Sequence, residues 1–317
     1  MRPNHQPDDA TGAGKGAPRA SAPTPPRGPA PEFHAGKWWD ALRFALRGRR
    51  LLQQQLHRLA ALPEDAPRAR VAEAQRAASQ RLLRHLQVDL QVTGLQHLPR
   101  TPGLVVALHE GLADALCLAT LPLPMRFVAR REVFEWPDIG PALARCGHIA
   151  IEPEAGATAY RRLVRAARAA LESGDHVLLF PQGCLLGIET AFLPGAFHLA
   201  RRLAVPLLPI AITGSHRIWE HPFSARLRYG QRVAVQVLPP IGATETRLAE
   251  PDALRRRVQR LTKGAALAPG TPPPRHYDAA RDGEWPGFRF ELDPEWQAGV
   301  AHGVDRPLLE PVPVDVG

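Results

Sequence analysis

The chain has 317 residues, 44% of them hydrophobic, which suffices for one large or two small domains around a substantial core. Its formal charge is +9, and because Lys15, Lys37 and Lys263 are its only lysines, nearly all the positive charge is arginine, a surface suited to anionic partners. Three scattered cysteines, Cys117, Cys146 and Cys184, exclude a disulfide framework and a zinc ribbon, while residues 1–31 lack the apolar core of a signal peptide.

Residues 1–35 are rich in Pro, Ala and Gly and almost free of large aliphatics, so they read as a disordered tail. Residues 36–87 read as a helical pair over 37–62 and 68–87. In the first helix Trp38, Leu42, Ala45, Leu46, Leu52, Leu56 and Leu59 follow helical spacing. Over residues 37–58, Lys37, Arg43, Arg47, Arg49, Arg50 and Arg58 stand against Asp40 alone, a net of +5. A basic helix with Trp38, Trp39, Arg43 and Arg47 at one end suits an anionic membrane interface. No run approaches the roughly 18 apolar residues of a spanning helix. Any membrane contact is therefore expected to be peripheral, on the cytoplasmic side.

Residues 88–267 alternate short apolar runs with helical patterns. Strands are expected at 88–92, 103–108, 125–129, 149–151, 176–180, 207–213 and 233–238. Helices are expected at 114–121, 137–146, 160–171, 196–203 and 253–261. This is the pattern of an α/β fold with a central, mostly parallel sheet covered by helices. Residues 205–212 carry Pro206 and Pro209 in an apolar run, which reads as an edge strand or a groove wall. Residues 268–317 form a C-terminal extension. It is expected to run over the domain surface, pinned by Tyr277, Trp285, Phe288, Phe290 and Trp296.

Two turns carry candidate chemistry. At Leu108-His109-Glu110-Gly111-Leu112-Ala113-Asp114, a buried strand hands over to a helix. An aspartate five residues after a histidine folds back to accept a hydrogen bond from one ring nitrogen, leaving the other free as a base. This is the base-and-orienter part of a catalytic triad without a protein nucleophile, so the attacking group is a substrate hydroxyl or amine. Alone, the spacing is weak. At Phe180-Pro181-Gln182-Gly183-Cys184, Pro and Gly impose a tight turn whose amides can face a ligand.

Taken together these segments resemble the glycerolipid (lysophosphatidate-type) acyltransferases. His109-x4-Asp114 resembles their HxxxxD block, and Gly147 to Pro153 aligns with their GxxFxDR block. Residues 180–184 resemble FPEGT, and 205–210 resemble VPxxPV. The resemblance spans about residues 85–265. It implies that His109 and Asp114 are catalytic and that His109 takes the proton of an acceptor hydroxyl. It implies an acyl donor, acyl-CoA or acyl carrier protein, as co-substrate and a lipid acceptor, with no cofactor and no metal. Arg130, Arg131, Pro181, Gln182, Gly183 and Cys184 are the expected substrate-binding residues.

The departures are specific. The family's Glu, Thr and Arg of the FPEGTR block are Gln182, Cys184 and Leu185 here, and its Asp-Arg pair is Glu152-Pro153. The Ser two places after the histidine is Gly111. A Leu and a Pro make no charge-assisted bond to phosphate. A lipid acceptor without a phosphate ester is therefore expected, with Arg126, Arg130 or Arg131 as a remnant clamp. An ordinary lysophosphatidate acyltransferase and a decayed lipid-binding scaffold are the alternatives. Nucleic acid is not an expected partner, since no recognition motif accompanies the charge.

Overall fold

The computed structural model describes residues 38–220, 228–278, 282, 290–293 and 295–296, with side chains described from Arg47 onward. The expected tail over 1–35, the side chains of Trp38, Trp39 and Arg43, and both Trp285 and Phe288 lie outside the described residues.

Two helices lead, α1 (Trp38–Ala60) and α2 (Arg68–His85). There follow β1 (Asp89–Thr93), β2 (Leu104–Ala107), α3 (Ala113–Leu118), β3 (Met125–Arg130), α4 (Arg131–Phe134), α5 (Ile139–Arg145) and β4 (Ile149–Ile151). The chain continues through α6 (Gly156–Glu172), β5 (His176–Leu179), α7 (Gly195–Leu203), β6 (Leu207–Thr213), β7 (Arg232–Val237), α8 (Ala243–Leu248) and α9 (Pro251–Ala266). The short helices α4 and α8 were not anticipated. Neither spans two full turns, too little for a periodic apolar stripe.

The strands form one sheet in the order β1-β7-β6-β2-β5-β3-β4. Strands β6, β2, β5, β3 and β4 are parallel, and only the β6–β7 pairing is antiparallel. Every residue of β2, β5 and β6 is buried, as expected for strands covered on both faces. On one side α1 packs on α2 and α5, and α2 on α3; α6, α7 and α9 form a separate packed set.

The reading of 205–212 as an edge strand is corrected. Strand β6 lies between β7 and β2, and all seven of its residues are buried. The reason is where the missing donor falls. The Pro209 carbonyl accepts the Leu238 amide at 3.0 Å, one residue beyond the end of β7. Pro209 therefore turns its N-H-less side toward the last rung of that ladder, and the β2 side stays intact through bonds such as Leu108 N–H to the Ile210 carbonyl, 3.3 Å.

Because five strands are parallel, the turns after β2, β3, β4, β5 and β6 all leave the same edge of the sheet. Ligands of open α/β sheets bind at this carboxyl edge.

Candidate functional site

His109 follows the end of β2, and Asp114 lies in the first turn of α3. Asp114 is fully buried, and its carboxylate is held by four donors. Oδ2 accepts the amides of Glu110 (2.7 Å) and Gly111 (3.1 Å) and the Nδ1–H of His109 (2.8 Å). Oδ1 accepts the Ser215 hydroxyl from the turn after β6. A buried carboxylate needs such a set of donors in place of water. Since a carboxylate only accepts, Nδ1 carries the imidazole proton and Nε2 keeps its lone pair. The His109 ring is 18% exposed and lies flat on Phe180, centroids 3.8 Å apart at 11°.

Gly111 explains the absence of a serine there. A Cβ at this position would lie 2.7 Å from the Trp219 carbonyl oxygen and 2.9 Å from the His216 Cα. The backbone after β6 is packed against the turn, and it is this backbone that delivers the Ser215 hydroxyl. Sequence reasoning missed Ser215. Its only signal is Gly214-Ser215 directly after a buried strand at the carboxyl edge.

Gln182 turns inward. Its Oε1 accepts the His109 amide at 2.7 Å, and its Nε2 donates to the Gly187 carbonyl (2.8 Å) and to Thr190 Oγ1 (2.7 Å). A carboxamide can accept and donate at once, which a carboxylate at this position could not. Gly183, at φ 69°, donates its amide to the Phe180 carbonyl at 3.0 Å, so the turn closes on itself. The Pro181 carbonyl accepts the Leu193 amide at 2.7 Å. Cys184 is buried in a small cluster with Leu186 and Tyr277, and burial pushes its thiol up to about 11. Of the four expected substrate-binding residues in this turn, only Gly183 is exposed.

Glu110 is also buried, and its carboxylate meets Gly214, His216 and Arg275. Its Oε2 accepts the Gly214 amide (2.9 Å) and meets His216 Nδ1 (3.1 Å), and its Oε1 accepts the Arg275 amide (3.0 Å). Burial, then the nearby Asp114, holds its carboxyl well above the ordinary range. Burial, then Arg217, lowers His216 to about 4.

The arginines stand elsewhere. Arg130 ends β3, two strands from β2 and so roughly 10 Å along the same edge. It pairs with Glu132 and Glu154, both at 2.9 Å, and Arg131 pairs with Glu152. Arg126 is near the start of β3, at the opposite edge, where it shares Asp175 with Arg68. Among the described residues no three His, Cys, Asp or Glu side chains gather as a metal site. A small apolar depression beside the His109–Asp114 turn is lined by Leu52, Leu82, Leu86, Ala113, Leu116 and Trp219.

Comparison with known proteins agrees with this architecture. The family model described as "Acyltransferase" matches residues 89–213. The chain is similar to the 1-acyl-sn-glycerol-3-phosphate acyltransferase of Limnanthes alba, 27% identical over 162 residues, covering 50% of this chain and 56% of that protein. It is also similar to the alpha form from Ovis aries, 30% identical over 207 residues, covering 63% of this chain and 71% of that protein. The chain belongs to the glycerolipid acyltransferase family. It spans about half the length of several curated relatives that it matches. Its fold is that of the 1-acyl-sn-glycerophosphate acyltransferase from Thermotoga maritima, with a TM-score of 0.59 at 18% identity over 72% of this chain and 95% of that one. Within the family fold, His109 and Asp114 sit at the carboxyl edge of a sheet whose order places β2 between β6 and β5.

Proposed function

We propose that the protein transfers a fatty acyl group from a thioester, acyl-CoA or acyl carrier protein, to a lipid hydroxyl. The observation that supports it most is the His109–Asp114 pair, with Nδ1 fixed at 2.8 Å and Nε2 left as the base. His109 removes the proton of the acceptor hydroxyl as its oxygen attacks the thioester carbonyl. The new C–O bond gives a tetrahedral intermediate. The C–S bond then breaks, and the imidazolium returns the proton to the leaving thiolate. Asp114 stabilises the imidazolium and fixes its tautomer.

The preferred acceptor lacks a phosphate ester. Leu185 and Pro153 are uncharged, and Arg130 and Arg131 are already engaged by Glu132, Glu154 and Glu152. Desolvating a phosphate monoester without a free cation costs several kcal/mol. The relatives named above are called acylglycerol-phosphate acyltransferases, so the acceptor is where this chain departs from them. The test is release of free thiol from a labelled thioester, with lysophosphatidate and an uncharged lipid alcohol competing at equal concentration. The uncharged acceptor should take most of the label; preferential acylation of lysophosphatidate defeats the acceptor reading.

The protein works at an anionic membrane surface, which α1 approaches. No helix among the described residues is long and apolar enough to cross a membrane. Arg47, Arg49, Arg50 and Arg58 are exposed. Gln53 bonds Asp138 on the loop before α5 (3.0 Å) and Arg81 of α2 bonds the buried Gln55 (3.2 Å), so α1 is also a packing helix. Replacing Arg47, Arg49 and Arg50 with Gln should weaken binding to anionic vesicles by about 1 kcal/mol per charge at most. Binding that is insensitive to both salt and these substitutions counts against the membrane role.

A further inference from the structure

The segment after α9 runs through Pro272, Pro273 and Pro274 and returns to the domain at points that bear on the His109–Asp114 turn. Pro272 packs over Gly214, where an added Cβ would come within 2.9 Å of the proline Cβ. The Arg275 amide donates to Glu110 Oε1 at 3.0 Å, and its carbonyl accepts the Ile188 amide at 2.9 Å. Its guanidinium reaches Glu220 at 3.1 Å and also pairs with Asp282. The Tyr277 amide (2.8 Å) and His276 Nδ1 (2.7 Å) both meet the Glu189 carboxylate. Further along, the Glu291 carbonyl accepts the Ala191 amide and the Asp293 amide donates to the Glu189 carbonyl, each at 2.7 Å. The Asp293 carboxylate is closed by Lys263 (3.0 Å) and Gln259, all three buried.

Residues 187–191 are thus clamped between 275–277 on one side and 291–293 on the other. Those residues supply Gly187 and Thr190, which hold Gln182, which in turn holds the His109 amide. The neighbouring residue, Glu110, is held directly by the Arg275 amide. Two of the supports of the His109–Glu110 dipeptide, the Gln182 bond and the Arg275 bond, therefore converge on the same C-terminal segment.

We propose that this segment is a strap that sets the position of His109, and that Glu110 and Gln182 are the positioning residues through which it acts. The inference rests on His109 being the base. A catalytic group displaced by about 1 Å can lose roughly 100-fold in rate. The strap is joined by specific polar contacts across long sequence separations, so loosening one link shifts the turn without unfolding the sheet.

The experiment compares kcat, KM for the thioester and melting temperature in the full chain for Glu110→Ala, Glu110→Gln, Asp293→Asn and His109→Ala. In Glu110→Ala, kcat should fall roughly 10- to 100-fold with KM changed far less. Glu110→Gln should recover most of that loss, because its carboxamide oxygen still accepts the Arg275 amide. Asp293→Asn, far from the reacting atoms, should lower kcat in the same direction by several-fold. If Glu110→Ala does not fold, Asp293→Asn decides. A kcat within about twofold of the parent in the folded variants, with only the melting temperature lowered, overturns the strap. An inactive His109→Ala with Glu110→Ala and Asp293→Asn unaffected overturns the strap alone, whereas an active His109→Ala overturns the assignment of the base.

Discussion

The turn after β2 and the turns after β3 and β4 leave the sheet by the same edge, yet they are held in different ways. After β2, a buried carboxylate takes four donors from two places in the chain, the 109–111 turn and Ser215, and the histidine amide has a partner of its own. After β3 and β4, Arg130 and Arg131 are tied to partly or fully exposed glutamates. Buried, fully satisfied polar networks fix one geometry, while surface ion pairs each contribute about 0–1 kcal/mol and rearrange readily. The first region is therefore held rigid, as the proposed proton transfer requires. The second has its cations occupied by glutamates.

The largest test strikes the first region. His109→Ala should lower thioester turnover by roughly 10²- to 10⁴-fold in protein that stays folded, since the proposed base is lost. Asp114→Asn should cost less, because the amide can keep some of the turn's bonds. It cannot hold the imidazolium charge, and its NH₂ disrupts the Ser215 or backbone contacts. Near-normal turnover by folded His109→Ala would falsify the mechanism. Ser215→Ala comes next, with a fall of about tenfold in kcat. It removes one donor of a buried carboxylate, and hydrogen bonds to charged groups contribute about 1.5–3 kcal/mol, of which only part reaches the transition state. A Ser215→Ala enzyme with unchanged kcat shows that the two backbone amides suffice.

How much of this was legible follows the range of the interactions. Strands β2, β5 and β6 are continuous apolar runs, because parallel strands are covered on both faces, so the sheet could be read directly. His109 and Asp114 are five residues apart and meet across one turn, a local pattern that a sequence displays. Ser215 is 101 residues from Asp114, and Arg275 is 165 from Glu110. A lone polar residue paired over such a distance leaves no periodicity to detect. Pro209 misled for a related reason. Its rule concerns the ladder position of the missing donor, and that position is set by where β7 ends. In the C-terminal extension, aromatic pins were the expectation. Among the described residues, Tyr277 and Phe290 pack on Cys184 and Leu186 and Trp296 lies against Lys263, and the polar links of Arg275, Glu189 and Asp293 join the segment as well.

The smallest expected effect sharpens the comparison from the other side. Arg131 is half exposed and its partner Glu152 about a third exposed. Glu152→Gln removes the carboxylate but keeps the size and a polar end, so Arg131 becomes available to a phosphate on the acceptor. The released pair contributed no more than about 1 kcal/mol, which limits the gain in lysophosphatidate use to about fivefold. Turnover with an uncharged lipid alcohol should not change, since Glu152 takes no part in the His109 network. The gain should also shrink at high salt, because a surface cation meeting a phosphate is screened over a Debye length of about 8 Å at physiological ionic strength. Measuring both acceptors side by side at two salt concentrations separates the outcomes. A salt-sensitive rise confined to lysophosphatidate identifies the occupied arginine as a barrier to phosphate. Equal change for both acceptors means that Glu152 supports the fold of the β4 turn, and the acceptor preference then rests on Leu185 and Pro153 alone.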